Sequence, residues 1–444
     1  MTATLPNTID QIISPKWLIP IDDDQSVLED HSVAIDKGMI VAVGPTASVL
    51  DQYQALDRVV LAEHTLIPGM INAHTHAAMA LLRGFADDLP LMQWLSEHIW
   101  PAESKWVDES FIRAGTDLAI AEMIQSGTTC FNDMYFYPDV VAERAESASI
   151  RACVGMIVID FPTAWAQDAD EYLSKGLAVR DQLRHTDLVT TAFAPHAPYT
   201  VSDEPLSRIA TLSEELECPV HMHVHETAHE VEESVARFGM RPIERLDQLG
   251  LLTPNLMAVH MTQLLDAEIQ TLAARGVSIV HCPESNLKLA SGFCPIAKLD
   301  EAGMNIAIGT DGAASNNNLS MLGELNTAAL IAKAQSGDPS AFNAHRALHA
   351  ATLGGAKALG IDHKTGSIEV GKAADFAAID LSDCSTQPVY HPVSQIVYSA
   401  NEQQVSDVWV SGKALMRDRV LTTLDKKKIL VDARQWGANI AAHR

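Results

Sequence analysis

The sequence is poor in cysteine and contains no long apolar run. Its six cysteines are scattered over 444 residues without a C-x-x-C pair, which is typical of free thiols in a reducing cytoplasm. No apolar run reaches the roughly 18–20 residues that a membrane helix needs. The first residues, MTATLPNTIDQ, lack the basic stretch and apolar core of a secretory signal. We therefore expect a cytoplasmic protein that does not enter a membrane.

Basic residues are too few for a protein that binds long nucleic acids. The chain has 31 lysines and arginines against 57 aspartates and glutamates, a formal net charge of −26. A nucleic-acid binder neutralises phosphates with basic side chains, so we expect no nucleic-acid partner. A small-molecule substrate is compatible with this charge, because the local charge of a site can differ from the net charge.

Two catalytic signatures are also missing. No G-x-S-x-G occurs, so a nucleophilic serine hydrolase is not supported. No P-C-x-x-C occurs, which excludes the zinc site of the cytidine-deaminase type.

The chain is long and apolar enough to form a large core. Its 444 residues, 47% of them hydrophobic, are enough for a barrel of about 250–300 residues and a smaller second unit.

Residues 66–365 alternate between short apolar runs and stretches with helical periodicity. One such stretch, 202–217, opens with a serine cap and acidic residues in its first turn. Strand-like runs alternating with helices predict an α/β fold, a (β/α)₈ TIM barrel that forms the catalytic domain; an open doubly wound sheet is the alternative. The eight strand-like runs are Leu66–Ala73, Thr128–Met134, Ala152–Ile159, Val189–Ala194, Pro219–His223, Leu256–His260, Val277–His281 and Asn305–Gly309.

Both ends of the chain are predicted to be β-rich. Residues 1–65 contain four short apolar or alternating runs separated by proline, aspartate and glycine, and residues 366–444 contain similar runs with glycine turns. Chain termini often lie close together in a folded protein. We therefore expect residues 1–65 and 366–444 to form one small β-sandwich beside the barrel.

Histidines and carboxylates stand at six of the eight predicted strand ends. In a TIM barrel the catalytic groups gather at the C-terminal ends of the strands, so this placement predicts an active site at the barrel mouth. The side chains in question are His74, His76, His196, His221, His223, His225, Glu226, His260, His281 and Asp311.

The H-x-H pair of the first strand predicts a metal site. Residues i and i+2 of a strand point the same way, so His74 and His76 can direct two imidazoles at one point. Zinc accepts histidine nitrogen and aspartate oxygen, and a catalytic site keeps one position open for water. The third histidine would come from the fifth strand, with His223 as the central candidate. Asp311 is either a ligand or base, or a helix cap.

These motifs resemble those of a known family. Pro68–His76 resembles the first-strand signature of the amidohydrolase superfamily, and residues 281–292 and 309–318 resemble its deaminase and chlorohydrolase branch. Leu82-Arg83-Gly84, Trp94 and the run 100–103 are similar to the deaminases of 5′-methylthioadenosine and S-adenosylhomocysteine. The resemblance covers nearly the whole chain. It implies a hydrolytic deaminase that converts such a purine nucleoside into the inosine derivative and ammonia.

The resemblance also implies a role for individual residues. One Zn²⁺ per subunit is expected, because the fourth strand lacks the lysine of two-metal members, and a homo-oligomer is expected as well. Glu226, His260 and Asp311 would be catalytic, with Glu226 also touching the substrate. The metal ligands would be His74, His76, His223 and Asp311. The substrate contacts would be Glu103, Trp94, His196 and Arg151.

Three alternatives stay open at this point. Guanine or 8-oxoguanine deaminase and a triazine-type chlorohydrolase would use the same scaffold on other rings or leaving groups. A sugar-binding carboxylate at Glu103 favours nucleosides over free bases; otherwise Glu103 is a surface or helix-capping residue. A metal-binding protein without activity would lack a ligand or the proton shuttle, and the sequence contains all of these groups.

Overall fold

The computed structural model describes residues 7–442, which form a parallel barrel and a mixed sheet. Residues 1–6 and 443–444 of the predicted terminal unit lie outside the described part of the chain. Within residues 7–442, no helix combines the length and the apolar character needed to cross a membrane.

The barrel confirms the predicted (β/α)₈ architecture. Its eight strands lie side by side in chain order, and each adjacent pair is parallel. The first and last strands approach each other at the mouth, where the amide of Asp311 donates to the carbonyl of His74 at 3.0 Å. The strands are Met70–Thr75, Thr128–Asp133, Arg151–Val158, Val189–Pro195, Val220–Val224, Leu256–His260, Ser278–His281 and Ile306–Ile308.

Helical segments follow every barrel strand. The predicted helix at 202–217 is observed as Asp203–Glu215, with Ser202 at the N-cap position but without a side-chain capping bond. The segments are Ala77–Leu82, Leu91–Gln93, Trp94–Ile99, Trp100–Trp106, Glu109–Gln125, Pro138–Ala148, Ala169–Leu183, Asp203–Glu215, Ala228–Phe238, Pro242–Gln248, Asp266–Arg275, Pro283–Lys288, Ile296–Glu301, Met321–Ser336, Ala344–His349, Ala350–Gly354 and Gly355–Ala358.

The two ends of the chain combine, as predicted, into one β unit. Its nine strands form a continuous mixed sheet, in which Tyr53–Pro68 pairs antiparallel with Phe376–Asp380. An apolar core of its own contains side chains from both ends, among them Val33 and Trp409. The strands are Asn7–Leu18, Leu28–Glu29, His31–Asp36, Met39–Pro45, Tyr53–Pro68, Phe376–Asp380, Val405–Val410, Lys413–Arg417 and Val420–Leu421.

The β unit and the barrel join at Gly69, between the sheet strand that ends at Pro68 and the barrel strand that begins at Met70. A Cβ at Gly69 would lie 2.1 Å from the side chain of Thr129, so only glycine fits there.

The C-terminal helix, Lys426–Ala441, packs back against the barrel. Its Trp436 is in edge contact with Phe111, with 5.4 Å between the ring centroids. The helices of the β unit are Thr46–Gln52, Pro392–Tyr398, Glu402–Gln404 and Lys426–Ala441.

Candidate active site

Three imidazoles and one carboxylate meet at the C-terminal mouth of the barrel. The Nε2 atoms of His74 and His76 each lie 3.3 Å from Oδ1 of Asp311. Nε2 of His223 lies 3.2 Å from Nε2 of His74. The first, fifth and eighth strands thus bring together all four residues that the sequence nominated as metal ligands.

The hydrogen bonds behind these imidazoles show what the cluster can hold. Nδ1 of His76 lies 2.6 Å from the carbonyl of Met134, and Nδ1 of His223 lies 2.7 Å from the carbonyl of His196. A carbonyl oxygen only accepts, so both Nδ1 atoms carry a proton, and both Nε2 atoms are left to face the centre of the cluster. Lone pairs and a carboxylate facing one point repel each other unless a cation lies between them. The donor set therefore fits a metal ion that prefers nitrogen and oxygen ligands.

The protonation states of the cluster agree with such a site. Burial lowers the pKa of His74 to about 4, so this imidazole is neutral at pH 7. Burial alone would also lower the pKa of His76, but the hydrogen bond and charge of Asp311 raise it to about 9, so that His76 shares a proton with Asp311. Binding of a metal ion there would release that proton. Burial alone would raise the pKa of Asp311, but hydrogen bonds and charges from His74 and His76 hold it well below the ordinary value. Neutral imidazole and ionised carboxylate are the forms in which these groups bind a metal.

The strand ends that carry the cluster have unusual backbone geometry. His225, His260 and Asp311 have φ angles of 53°, 74° and 61°, in the left-handed region that favours glycine. Each follows or ends a barrel strand, and such conformations cost about 1–3 kcal/mol when a side chain is present. The fold therefore holds these residues in strained positions at the mouth, a feature that clusters at active sites.

Glu226 and His260 lie beside the cluster. Nε2 of His260 is 3.9 Å from Oε2 of Glu226. Both side chains are buried, and burial raises the pKa of Glu226 above its ordinary value. Glu230 holds the loop that follows the fifth strand. Its carboxylate accepts from the backbone amides of His225 and Glu226 at 2.9 and 2.8 Å. Burial thus shifts Glu226 towards its protonated form.

A cavity of about 550 Å³ opens onto these residues. The volume suits a drug-sized or nucleoside-sized ligand. Sequence-predicted residues that line it are His76, Trp94, Glu103, His196, His223, Glu226, His260 and Asp311. Most of the remaining wall is apolar, with contributions from Leu91, Leu95, Ile99, Trp100, Met134, Phe136, Ile157, Ile159 and Phe161.

The polar groups of this wall include a partly buried acid, Glu103. Oε1 of Glu103 accepts a hydrogen bond from the hydroxyl of Tyr135 at 2.7 Å. Burial raises the pKa of Glu103 to about 7. On the same wall, burial lowers the pKa of His196 to about 3, so that this imidazole is neutral. Glu103 is therefore a carboxyl group inside the cavity, neither on the surface nor at a helix cap.

Sequence reasoning missed part of the cavity wall. The run 135–137 could be assigned equally to the pocket or to the core; in the structure Tyr135 and Phe136 line the cavity, whereas Tyr137 donates to the carbonyl of Ala164 at 3.0 Å. Ile157 and Ile159 also line it, at the C-terminal end of the third strand. Their position at the end of a barrel strand was the signal that could have identified them, because the C-terminal strand ends surround the mouth.

The expected substrate contact at Arg151 is wrong. Arg151 begins the third strand and lies at the end of the barrel opposite the mouth. Its Nε and Nη2 donate to Asp375 at 3.0 and 3.2 Å, and its Nη1 donates to the carbonyl of Asp187 at 3.0 Å. Both members of this ion pair are buried, and the guanidinium links the barrel floor to the terminal sheet. No second arginine takes its place among the described cavity residues.

This correction predicts a stability effect at Arg151. Arg151→Ala leaves the buried carboxylate of Asp375 unpaired, which costs about 3–5 kcal/mol of unfolding free energy. The substrate KM should not change, because the side chain is not in the cavity. Denaturant unfolding and steady-state kinetics measure both, with Arg113→Ala as the control. Arg113 pairs with Glu143 on the surface, a contact worth up to about 1 kcal/mol. A raised KM at unchanged stability would restore the original assignment.

Comparisons with known proteins agree with this architecture. The amidohydrolase family matches residues 65–415. The 5-methylthioadenosine/S-adenosylhomocysteine deaminase of Teredinibacter turnerae is 50% identical over 444 residues, which is all of both chains. The protein of the same name from Aquifex aeolicus is 42% identical over 373 residues, covering 84% of this chain and 86% of that one.

Solved structures show the same fold. An adenosine deaminase from Xanthomonas campestris with bound zinc is 52% identical, superposes with a TM-score of 0.97 and covers 99% of this chain and 100% of its own. An atrazine chlorohydrolase from Arthrobacter aurescens, 24% identical, has a TM-score of 0.89 over 96% of this chain and 100% of its own. That second likeness supports the fold alone. With a family match over most of its length and relatives at this level of identity, the chain belongs to the amidohydrolase family.

Proposed function

We propose that this protein is a zinc-dependent hydrolytic deaminase of adenosine-type nucleosides. It would convert 5′-methylthioadenosine, and to a smaller extent S-adenosylhomocysteine, into the inosine derivative and ammonia. The observation that carries the proposal is the convergence of His74, His76, His223 and Asp311 beside the buried Glu226 in a nucleoside-sized cavity. The deaminases of the same family, 50% identical over the full length, support the substrate class.

The four converging side chains would hold one zinc ion. Two imidazole Nε2 lone pairs, a third imidazole and Oδ1 of Asp311 supply the nitrogen and oxygen donors that zinc takes at catalytic sites. When bound, zinc supplies a nucleophile at neutral pH by lowering the pKa of water from 15.7 to about 7. The relative from Xanthomonas campestris, which was solved with zinc, supports this choice of metal.

The chain's own groups would manage the protons. In deamination, a water oxygen bonds to the ring carbon that bears the amino group, the C–N bond breaks, and ammonia leaves with the proton it gains. The carboxylate of Asp311 accepts the proton of the attacking water, and His260 orients that water. The protonated carboxyl of Glu226 donates to the adjacent ring nitrogen, so that the attack builds no full negative charge on the ring.

Glu103 and its neighbours in the cavity would bind the sugar. Glu103, oriented by the hydroxyl of Tyr135, offers a carboxylate oxygen to the ribose hydroxyls, and a charge-assisted bond of this type is about twice as strong as a neutral one. Trp94 and His196 line the same cavity and would contact the nucleoside. A free base has no hydroxyls for Glu103, so this carboxylate favours nucleosides over guanine or a triazine.

A substrate panel tests the proposal. Purified protein loaded with zinc receives 5′-methylthioadenosine, S-adenosylhomocysteine, adenosine, guanine, 8-oxoguanine and a chlorotriazine in parallel, and released ammonia or chloride is measured. Ammonia from the nucleosides alone is the expected result. Ammonia from a free base alone, or chloride from the triazine, would keep the scaffold and reject the substrate class.

The charge of the cavity predicts a preference among the nucleosides. No lysine or arginine lines the cavity within residues 7–442, whereas three carboxyl groups, those of Glu103, Glu226 and Asp311, do. The amino-acid carboxylate of S-adenosylhomocysteine would lose water without gaining a cationic partner, whereas a methylthio group finds an apolar wall. We expect kcat/KM to be at least about tenfold higher for 5′-methylthioadenosine, or about 1.4 kcal/mol. Equal values would show that a cation reaches the bound carboxylate.

Two coarser properties belong to the same proposal. We propose a cytoplasmic location, supported by six cysteines that form no disulfide, five of them buried. We also propose a homo-oligomer, for which light scattering of the purified protein is the test. A monomer at micromolar concentration would reject that assignment without affecting the proposed reaction.

A further inference from the structure

The short helix Pro283–Lys288 follows the seventh barrel strand and carries two buried polar side chains without an assigned role. Ser285 and Asn286 are 0% and 2% exposed. Neither lines the cavity, so neither is placed to touch the substrate. Buried polar groups are costly unless they are hydrogen-bonded. Their partners therefore indicate what the two residues contribute.

Ser285 contacts the carboxylate that closes the metal cluster. Its Oγ donates to Oδ2 of Asp311 at 2.6 Å, and the amide of Gly312 donates to Oδ1 at 2.7 Å. The hydroxyl thus binds Oδ2, the carboxylate oxygen that faces away from the imidazoles. It thereby fixes the rotation of the group and leaves Oδ1 directed at His74 and His76.

Asn286, the next residue, contacts the other reactive histidine. Its Oδ1 lies 2.8 Å from Nδ1 of His260. An amide oxygen carries no hydrogen, so Nδ1 of His260 is the donor in this contact. The other ring nitrogen, Nε2, lies on the side of Glu226, 3.9 Å from Oε2. The contact with Asn286 therefore fixes the ring orientation of His260.

The helix is itself anchored to the loop after the eighth strand. The amide of Glu284 donates to Oε2 of Glu324 at 3.2 Å, and Nδ2 of Asn316 donates to Oε1 of the same carboxyl group at 2.5 Å. Glu324 is fully buried, so this bridge is shielded from water. Because Asn316 follows Asp311 by five residues, the bridge fixes the helix relative to the carboxylate that Ser285 holds.

We propose that Ser285 and Asn286 are positioning residues that hold Asp311 and His260 in their reactive orientations. One short helix would thus align two groups from two different strands, the eighth and the sixth. The proposal rests on the proposed function for its kinetic consequences, but its effect on metal affinity does not depend on the substrate. Groups that orient a ligand of this kind change metal affinity or activity by about 10–100-fold when removed.

The first test is Ser285→Ala, which removes a single oxygen. We expect kcat to fall by about 10–100-fold with KM nearly unchanged, and zinc affinity, measured by competition with a chelator, to fall as well. Leu287→Ala is the matched control, because Leu287 lies on the same helix and is 41% exposed. All kinetics are run well below the melting transition of each variant, so lost turnover does not reflect lost fold. Unchanged kcat and zinc affinity would overturn the role of Ser285.

The second test separates the two contacts. Asn286→Leu removes the acceptor at similar volume, and Asn286→Asp keeps an acceptor oxygen in place. We expect Asn286→Leu to lower kcat by about 10–100-fold at unchanged zinc affinity, because His260 is outside the proposed ligand set, and Asn286→Asp to restore part of the loss. Equal kcat in the two variants would overturn the role of Asn286. If the unaltered protein releases no ammonia from any nucleoside, the proposed function fails, while zinc competition on Ser285→Ala still decides the contact to Asp311.

Discussion

Glu226→Gln should lower kcat by about 10²–10⁴-fold, which is about 3–5 kcal/mol of transition-state stabilisation. The amide keeps the size of the side chain but cannot pass a proton to the ring nitrogen. Burial raises the pKa of Glu226 and so favours its protonated form, and its Oε2 lies 3.9 Å from Nε2 of His260. Steady-state ammonia release from 5′-methylthioadenosine measures the loss.

Two controls make the Glu226 result specific. Metal analysis should show zinc retained, since Glu226 is outside the proposed ligand set. Glu233→Gln should keep normal turnover, because Glu233 is half exposed on the helix Ala228–Phe238 that follows Glu226. If Glu226→Gln kept more than about a tenth of the activity, another group would have to carry the proton.

Removal of the metal should abolish ammonia release and lower the melting temperature. Without a cation, Nε2 of His76 faces the carboxylate of Asp311, and Nε2 of His223 faces Nε2 of His74. A ligand present at 1,000 times its Kd stabilises the folded state by about 4 kcal/mol, and the apo protein forfeits that contribution. Chelation followed by calorimetry and kinetics measures both effects.

Restoring the metal completes this test. Addition of zinc should recover turnover and the original melting temperature together, and titration should saturate at one ion per subunit. Manganese and iron are added in parallel, because imidazole and carboxylate sites accept several metals. Full activity in chelated protein with no detectable metal would contradict the proposed mechanism.

Much of the fold could be predicted because the barrel repeats one simple pattern. Each strand is a short buried apolar run, and a stretch with helical periodicity separates one run from the next. The order of the strands and helices could therefore be predicted without a structure. The pairing of both chain ends followed from their similar composition. The sequence could not show that the terminal strands join as one continuous sheet, because register depends on partners far apart in the chain.

The metal cluster could be predicted for a related reason. Parallel barrel strands place their C-terminal ends together, so His74, His223 and Asp311 had to share one mouth. The same rule explains the error at Arg151, which begins its strand and therefore lies at the opposite end. The rule about strand ends could not identify Ser285 and Asn286. Their partners are set by how a short helix is turned against two other strands, which no local pattern records.

Hydrolysis in isotopically labelled water tests the central claim most directly. The product formed from 5′-methylthioadenosine is isolated and its mass compared with that of the product made in ordinary water, while ammonia is counted in the same reaction. Hydrolytic deamination predicts one labelled oxygen, bonded to the purine carbon that carried the amino group, and one ammonia for each nucleoside consumed. Unlabelled product, cleavage of the base from the sugar, or consumption of nucleoside without ammonia would contradict it.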